Sequence, residues 1–234
     1  FADWLDHECA RLGVDVSVGQ RFESATAVDG AALVIATGST PGPLAATVTR
    51  AAVVVTAADH LAGEVDDLPA GPVLVWDPLG GPVAVSIAER LAAAGRSVTF
   101  VTPDNIVGNE LSRSGDLAPA NARLQQAGVA IERRTILREV KKGSAVVEDR
   151  FTGERRTVKA AAVIDGGARL PDESLFRELA ANGATVVRAG DAVAPRTVLE
   201  AVREGRAAVL AIEGRVPTSD GVPMGWGDHG GSHR

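Results

Sequence analysis

The chain has 234 residues, a formal net charge of −6, and apolar and charged fractions of 45% and 23%. That composition suits a globular chain with a real core, and the acidic balance argues against a nucleic-acid surface. No apolar run approaches the ~18 residues of a membrane span, and the opening Phe-Ala-Asp-Trp-Leu-Asp-His-Glu has neither the basic stretch nor the apolar run of a signal peptide.

In chain order, Phe1, Trp4, Leu5, Cys9 and Leu12 recur at helical spacing, so 1–12 is predicted as a helix closed by Gly13, with Cys9 a small buried hydrophobe. It has no strand before it, as if the chain began inside a βαβ unit. Alternation over Val14–Val18 predicts a short strand, and Ala27–Gly30 a strand end and turn. Ala32–Gly38 reads as a strand buried on both faces. Pro41, Gly42 and Pro43 mark a domain crossing. A β-branched run follows at Thr47–Thr56, then a helical piece at Ala57–Leu61 and a polar connector containing Pro and Gly at Gly63–Gly71.

The next segment reads as βαβ: strand Pro72–Trp76, loop Asp77–Pro82, an alanine-rich helix Val83–Ala94 closed by Gly95, and strand Ser97–Thr102. A helix at Ala118–Ala127 precedes strands at Val129–Glu132, Ile136–Val140, Ser144–Asp149 and Arg155–Lys159. The last two form a hairpin across Phe151–Gly153, and this β-rich stretch is expected to cross one face of a sheet as an antiparallel meander. Ala161–Asp165 is a further buried strand, Pro171–Ala181 a helix, Thr185–Arg188 a strand. The final helix starts near Arg196 or Thr197 and ends near Gly214, and 215–234 reads as a tail without periodicity. Alternating strands and helices with glycine-rich exits predict an α/β fold with parallel sheets.

Three strand exits carry the chemistry. At Ala36-Thr37-Gly38 the backbone can approach a ligand and Thr37 can hydrogen-bond. At Ala189-Gly190-Asp191 the glycine permits a tight turn, and the acid stands where open α/β sheets place ligands. Its charge suits sugar hydroxyls, while the first turn of the following helix offers N–H groups to a phosphate or a flavin carbonyl. The third exit is Asp77-Pro-Leu-Gly80-Gly81. Each exit taken singly reads equally well as an ordinary turn. With a single cysteine, the chain can form no internal disulfide and no all-cysteine iron–sulfur or zinc site of its own. The absence of tyrosine excludes the Tyr–Lys pair of short-chain dehydrogenases. His7, His60, His229 and His233 show no catalytic or metal-ligating pattern, so no catalytic or metal residue is assigned. The lone thiol and the lack of a leader pattern give a cytoplasmic expectation.

Val34-Ile-Ala-Thr-Gly-Ser-Thr-Pro41, then a nucleotide-type βαβ, then Ala189-Gly-Asp-Ala-Val-Ala-Pro-Arg-Thr-Val-Leu-Glu-Ala-Val-Arg-Glu-Gly205 occur in that order. The combination resembles the C-terminal region of old-yellow-enzyme-like NADH:flavin oxidoreductases of the 2,4-dienoyl-CoA reductase and trimethylamine dehydrogenase group. An actinobacterial, mycofactocin-associated member falls within that range.

The resemblance implies two Rossmann-like dinucleotide-binding domains of the FAD/NAD(P) flavoprotein type, the first lacking its N-terminal βαβ unit. Residues 1–42 plus 168–214 would form the partial FAD-type domain, 43–167 an inserted NAD(P)-like domain, and 215–234 a tail. Ala36, Thr37, Gly38, Gly190, Asp191, Arg196 and Thr197 would line FAD, or ADP in its place. Gly80 and Gly81 would face NAD(P)H. FMN and a 4Fe-4S cluster would belong to an N-terminal barrel which, with the first FAD βαβ, lies upstream or in a partner chain. The resemblance also implies an oligomer, no nucleic acid or membrane partner, and a chain inactive by itself. In the inserted domain the expected Gly-x-Gly-x-x-Gly reads Asp77-Pro-Leu-Gly-Gly-Pro-Val-Ala84. Leu79 crowds the first glycine place, and Asp77 would repel a pyrophosphate by ~1 kcal/mol or more. The alternative is a non-catalytic ADP-binding or structural nucleotide-fold module in a larger flavoprotein complex.

Overall fold

The structure, a computed structural model, describes residues 1–22, 31–63, 68–214, 218–219 and 222–223. The expected turn at Ala27–Gly30, part of the connector after Gly63, and His229 and His233 lie outside these residues. The chain divides into two compact units, Phe1–Ser39 with Pro171–Arg234 (unit 1) and Thr40–Leu170 (unit 2).

Unit 1 begins with helix α1 (Ala2–Arg11) and strand β1 (Leu33–Ile35), and the chain leaves it through β2 (Ser39–Pro41). No residue of α1 is buried, so Cys9 is only half-covered rather than in a core. Val14–Val18 forms no strand; Val14, Val16 and Val18 are 52%, 61% and 84% exposed. Alternation alone cannot make a strand without a neighbouring edge to pair with. β1 is less covered than its composition suggests, since only Ile35 is buried.

In unit 2 the β-branched run splits into β3 (Thr47–Val48) and β4 (Val54–Thr56), which join different sheets. Helix α2 (Ala57–Ala62) follows; its N-cap Thr56 accepts the Asp59 N–H. His60 is buried on this helix, and burial, with Arg90 nearby, holds its pKa below the usual imidazole value. β5 (Val73–Trp76) is buried on both faces. α3 (Pro82–Ala93) starts with a proline in its first turn, where no N–H is missed. Gly95 stops it in the left-handed region at φ +77°. β6 (Val98–Val101), α4 (Leu117–Gln126) and β7 (Ala130–Glu132) continue the alternation, with an unforeseen 3₁₀ turn at Asn109–Arg113. β8 (Thr135–Lys141), β9 (Ser144–Asp149) and β10 (Arg155–Lys159) form the meander, and β11 (Ala162–Asp165) returns to the sheet centre.

The five-stranded sheet runs β4-β11-β5-β6-β7, all parallel. One face packs Val73, Val75 and Phe100 against Ala84, Ile87, Ala88 and Leu91 of α3. The other face packs Leu74, Trp76, Val101 and Val163 against Leu137, Val140, Ala145 and Val147 of the meander, whose sheet runs β10-β9-β8-β3. The parallel sheet is thus covered by helices on one side and by the expected meander on the other. Each fully buried Leu or Phe here stabilises the unit by about 1.5–3 kcal/mol.

The chain returns through β12 (Arg169–Pro171), which pairs with β2, so the two crossings run side by side. Pro171 therefore ends a strand rather than opening a helix. α5 (Ser174–Ala181) starts later, where the Asp172 carboxylate accepts the Ser174 hydroxyl at 2.7 Å. β13 (Val186–Arg188) pairs in parallel with β1. α6 (Val198–Ile212) packs Ala208, Ala211 and Ile212 onto Val187 and Ala189. Beyond it, β14 (Thr218–Ser219) and β15 (Val222–Pro223) form a short antiparallel pair inside the stretch expected to be an irregular tail.

Candidate functional site

β1 and β13 lie side by side with Ile35 opposite Arg188, and the Ala189 N–H extends the ladder by donating to the Ile35 carbonyl at 3.0 Å. Two exits far apart in sequence therefore leave one sheet edge together. After β1, Gly38 takes φ +82°, and the space where a Cβ would sit is empty out to 4 Å. Thr37 Oγ1 donates to the Asp172 carbonyl at 2.5 Å, and the Asp172 N–H returns a bond to the Gly38 carbonyl at 3.0 Å. These bonds fix the exit loop against the start of α5.

After β13, Gly190–Ala192 forms a 3₁₀ turn closed by the Val193 N–H on the Gly190 carbonyl at 2.8 Å. Gly190 has φ +66°, and a Cβ there would meet Ala201 only at 3.5 Å. The glycine is required for its left-handed backbone, not for room. Asp191, half-buried, accepts the Ser39 hydroxyl on Oδ2 at 3.0 Å and the Arg196 N–H on Oδ1 at 3.4 Å.

The start of α6 is already occupied by side chains of the chain itself. The N-cap Thr197 hydroxyl donates to the Glu200 carboxylate, three residues on in the first turn. That bond, and the Glu200 N–H, hold Glu200 below the usual carboxylate range. The Arg196 guanidinium turns back to Glu204 and to the Ala194 carbonyl. An incoming phosphate would meet Glu200 at this helix end, whereas Asp191 and the open flank of Gly38 suit a polyol.

Of the residues singled out in the sequence, Ala36, Thr37, Gly38, Gly190, Asp191, Arg196 and Thr197 lie in unit 1, on two adjacent strand exits and the helix start after the second. Gly80 and Gly81 lie in unit 2, at the exit of β5. Sequence reasoning passed over Ser39, Arg188 and Glu200. The hydroxyl directly after Thr37-Gly38 and the Thr-x-x-Glu spacing of 197–200 were readable signals for two of them; nothing in the sequence marked Arg188.

The unit 2 exit is closed in a different way. Asp77 is 1% exposed, and its Oδ1 accepts the Gly80 N–H at 2.9 Å and the Leu79 N–H at 3.2 Å. The turn donors that a pyrophosphate would use are already taken by this carboxylate. Oδ2 has no partner among the described residues. Burial pushes the Asp77 pKa up to about 6, against the pull of the Gly80 and Leu79 N–H groups and with a further push from Asp104. Gly80 is at φ +70°, and a Cβ there would fall 2.9 Å from the Asp104 carboxylate.

No protein-family model matches the chain. It is 31% identical over 194 residues to the N,N-dimethylglycine/sarcosine dehydrogenase of Chromohalobacter salexigens, covering 75% of this chain and 27% of that protein. Histamine dehydrogenase from Rhizobium sp. 4-9 superposes with a TM-score of 0.72 at 25% identity, over 81% of this chain and 32% of that one. A 2-naphthoyl-CoA reductase superposes with a TM-score of 0.74 at 20% identity, over 86% of this chain and 30% of that one. The fold is that of FAD/NAD(P)-binding flavoprotein domains. The chain spans 27% to 32% of the length of these three proteins. Among the described residues no helix is long and apolar enough to cross a membrane.

Proposed function

We propose that this chain is the FAD/NAD(P)-type electron-transfer portion of a flavin-dependent oxidoreductase of the dienoyl-CoA reductase and trimethylamine dehydrogenase type. Unit 1 carries FAD, or ADP in its place. The observation that supports this best is the adjacency of the β1 and β13 exits, tied by the Ser39–Asp191 bond. Ala36, Thr37 and Gly38 offer backbone to the dinucleotide, Asp191 accepts sugar hydroxyls, and Gly190, Arg196 and Thr197 frame the opposite side. A flavin bound there supplies hydride and single-electron transfer. Two of the three relatives are named for amine substrates, which favours the amine-dehydrogenase side of the group.

In this reading the substrate-turning barrel, with FMN and a 4Fe-4S cluster, and the first FAD βαβ unit are supplied upstream or by a partner chain, in a cytoplasmic oligomer. Unit 1 presents the surface that such a partner would cover. Phe1 and Trp4 of the first helix are 71% and 58% exposed, and Val198, Val202 and Val209 of α6 are 64%, 55% and 50% exposed. Co-expression with that partner segment is the test. A yellow complex that reduces dye with amine or NAD(P)H supports the reading, and a colourless, inactive complex sinks it.

Asp77 favours a second reading for unit 2, a structural nucleotide-fold module rather than an NAD(P)H site. Titration with ADP, FAD and NADPH separates the two, because tight NADPH binding that responds to changes at Gly80 or Gly81 rejects the structural reading.

A further inference from the structure

Arg188 ends β13, two residues before Gly190, and its side chain is 14% exposed. A guanidinium in that position is costly, and an apolar side chain of similar volume would pack there more cheaply. Instead one nitrogen of the guanidinium makes two polar contacts and the planar group stacks on a ring. Nη1 is paired with the Glu173 carboxylate at the start of α5 and also donates to the Ala192 carbonyl at 3.3 Å. The guanidinium carbon lies 4.6 Å from the centroid of the Phe176 ring, a cation–π contact with the same helix. Nε is buried without a partner among the described residues, so the arginine does not reach full hydrogen-bond satisfaction even here. Its contacts thus link α5 to the carbonyl of Ala192, the last residue of the 3₁₀ turn bearing Asp191. α5 is also braced to the other exit loop, through Thr37 on Asp172.

We propose that Arg188 is a positioning residue of unit 1: anchored on Glu173 and Phe176, it holds the Gly190–Ala192 turn so that Asp191 meets the ribityl or ribose hydroxyls of the dinucleotide. This rests on the flavin reading of unit 1. Arg188 touches no ligand itself and acts through Asp191. Lysine at this place keeps a charge for Glu173, but it lacks the planar guanidinium that stacks on the Phe176 ring while Nη1 holds the Ala192 carbonyl.

The test is a double-mutant cycle on FAD affinity in the complex of this chain with its partner segment, using R188K, D191N and the pair. Each single variant is expected to weaken FAD by roughly 10-fold, the scale of one charge-assisted hydrogen bond. The pair should weaken it by no more than about 10-fold, because both remove the same interaction. Multiplicative losses, or unchanged FAD affinity in R188K, overturn the proposal; a scaffold role alone would lower the melting temperature and leave affinity in the folded protein intact. If R188K does not fold, E173Q, which frees the fork but keeps the arginine, takes its place in the cycle with the same expectation. If the unaltered complex binds neither FAD nor ADP, the flavin reading fails. Amide hydrogen exchange then decides on Arg188: exchange at 190–194 accelerated about 10-fold or more in R188K, with Val186 and Val187 unchanged, supports positioning, and unchanged exchange there overturns it.

Discussion

Ser39 Oγ donates to Asp191 Oδ2 at 3.0 Å across 152 residues of chain. One residue closes the exit of β1 and the other opens the exit of β13, so the bond exists only because the two strands are neighbours in the sheet. Removing the hydroxyl with S39A leaves Asp191 its Arg196 N–H but deprives it of its side-chain donor. The expected cost is about 1 kcal/mol of unit 1 stability, read as a lower urea midpoint at unchanged slope. S39T should retain most of the bond. An S39A midpoint equal to that of the unaltered chain would mean the bond is not formed in solution.

Asp77 predicts a pH signature. Its ordinary pKa of 3.8 is raised to about 6 in the folded chain by burial. The folded state therefore binds the proton more tightly than the unfolded state. Stability linked to this group is fully present below about pH 4 and is lost as pH rises through about 6. At pH 7.5 the loss is on the order of 2–3 kcal/mol. D77N keeps the Oδ1 acceptor for Gly80 and Leu79 without the titration. Its stability relative to the unaltered chain should rise between pH 4.5 and pH 7.5, measured by urea unfolding at both values. The cost of burying the amide is the same at both and drops out of the difference. A difference that is flat or falls with pH would refute the assignment.

The exposed apolar faces of α1 and α6 give a third expectation. W4E and V202E alter residues with little packing inside unit 1, so each should change its stability by no more than about 0.5 kcal/mol. Both should weaken association with the proposed barrel-bearing segment at least tenfold if either residue sits at the centre of that interface. Sedimentation of mixtures measures this directly. Full retention of binding by both variants would place the contact elsewhere.

Much of unit 2 was readable because its signals are local. The Val73–Trp76 run is apolar at every position, as a strand covered on both faces must be, and Gly81-Pro82 and Gly95 punctuate the helix between two such strands. Unit 1 was harder to read. Val14–Val18 has the alternation of a strand but no edge to pair with. In unit 2 the exception is the β-branched Thr47–Thr56 run, which divides between two sheets. Pairing is a property of the neighbour, which periodicity does not encode. The burial of His60 was not legible, because it depends on the sheet and on α3. In the site, Thr37, Gly38, Gly190 and Asp191 were legible from backbone chemistry at strand exits. Arg188 was not, since an arginine ending a strand reads as solvated until Glu173, Phe176 and the Ala192 carbonyl are seen around it.

The central claim is that two exits of one sheet edge grip a single dinucleotide. Hydrogen-exchange mapping of the full chain with its partner segment, with and without FAD, tests it most directly. The account predicts simultaneous protection at 36–39 and 189–192, lost at both stretches in D191N. Protection at one stretch alone, or at neither while FAD stays bound, would contradict it.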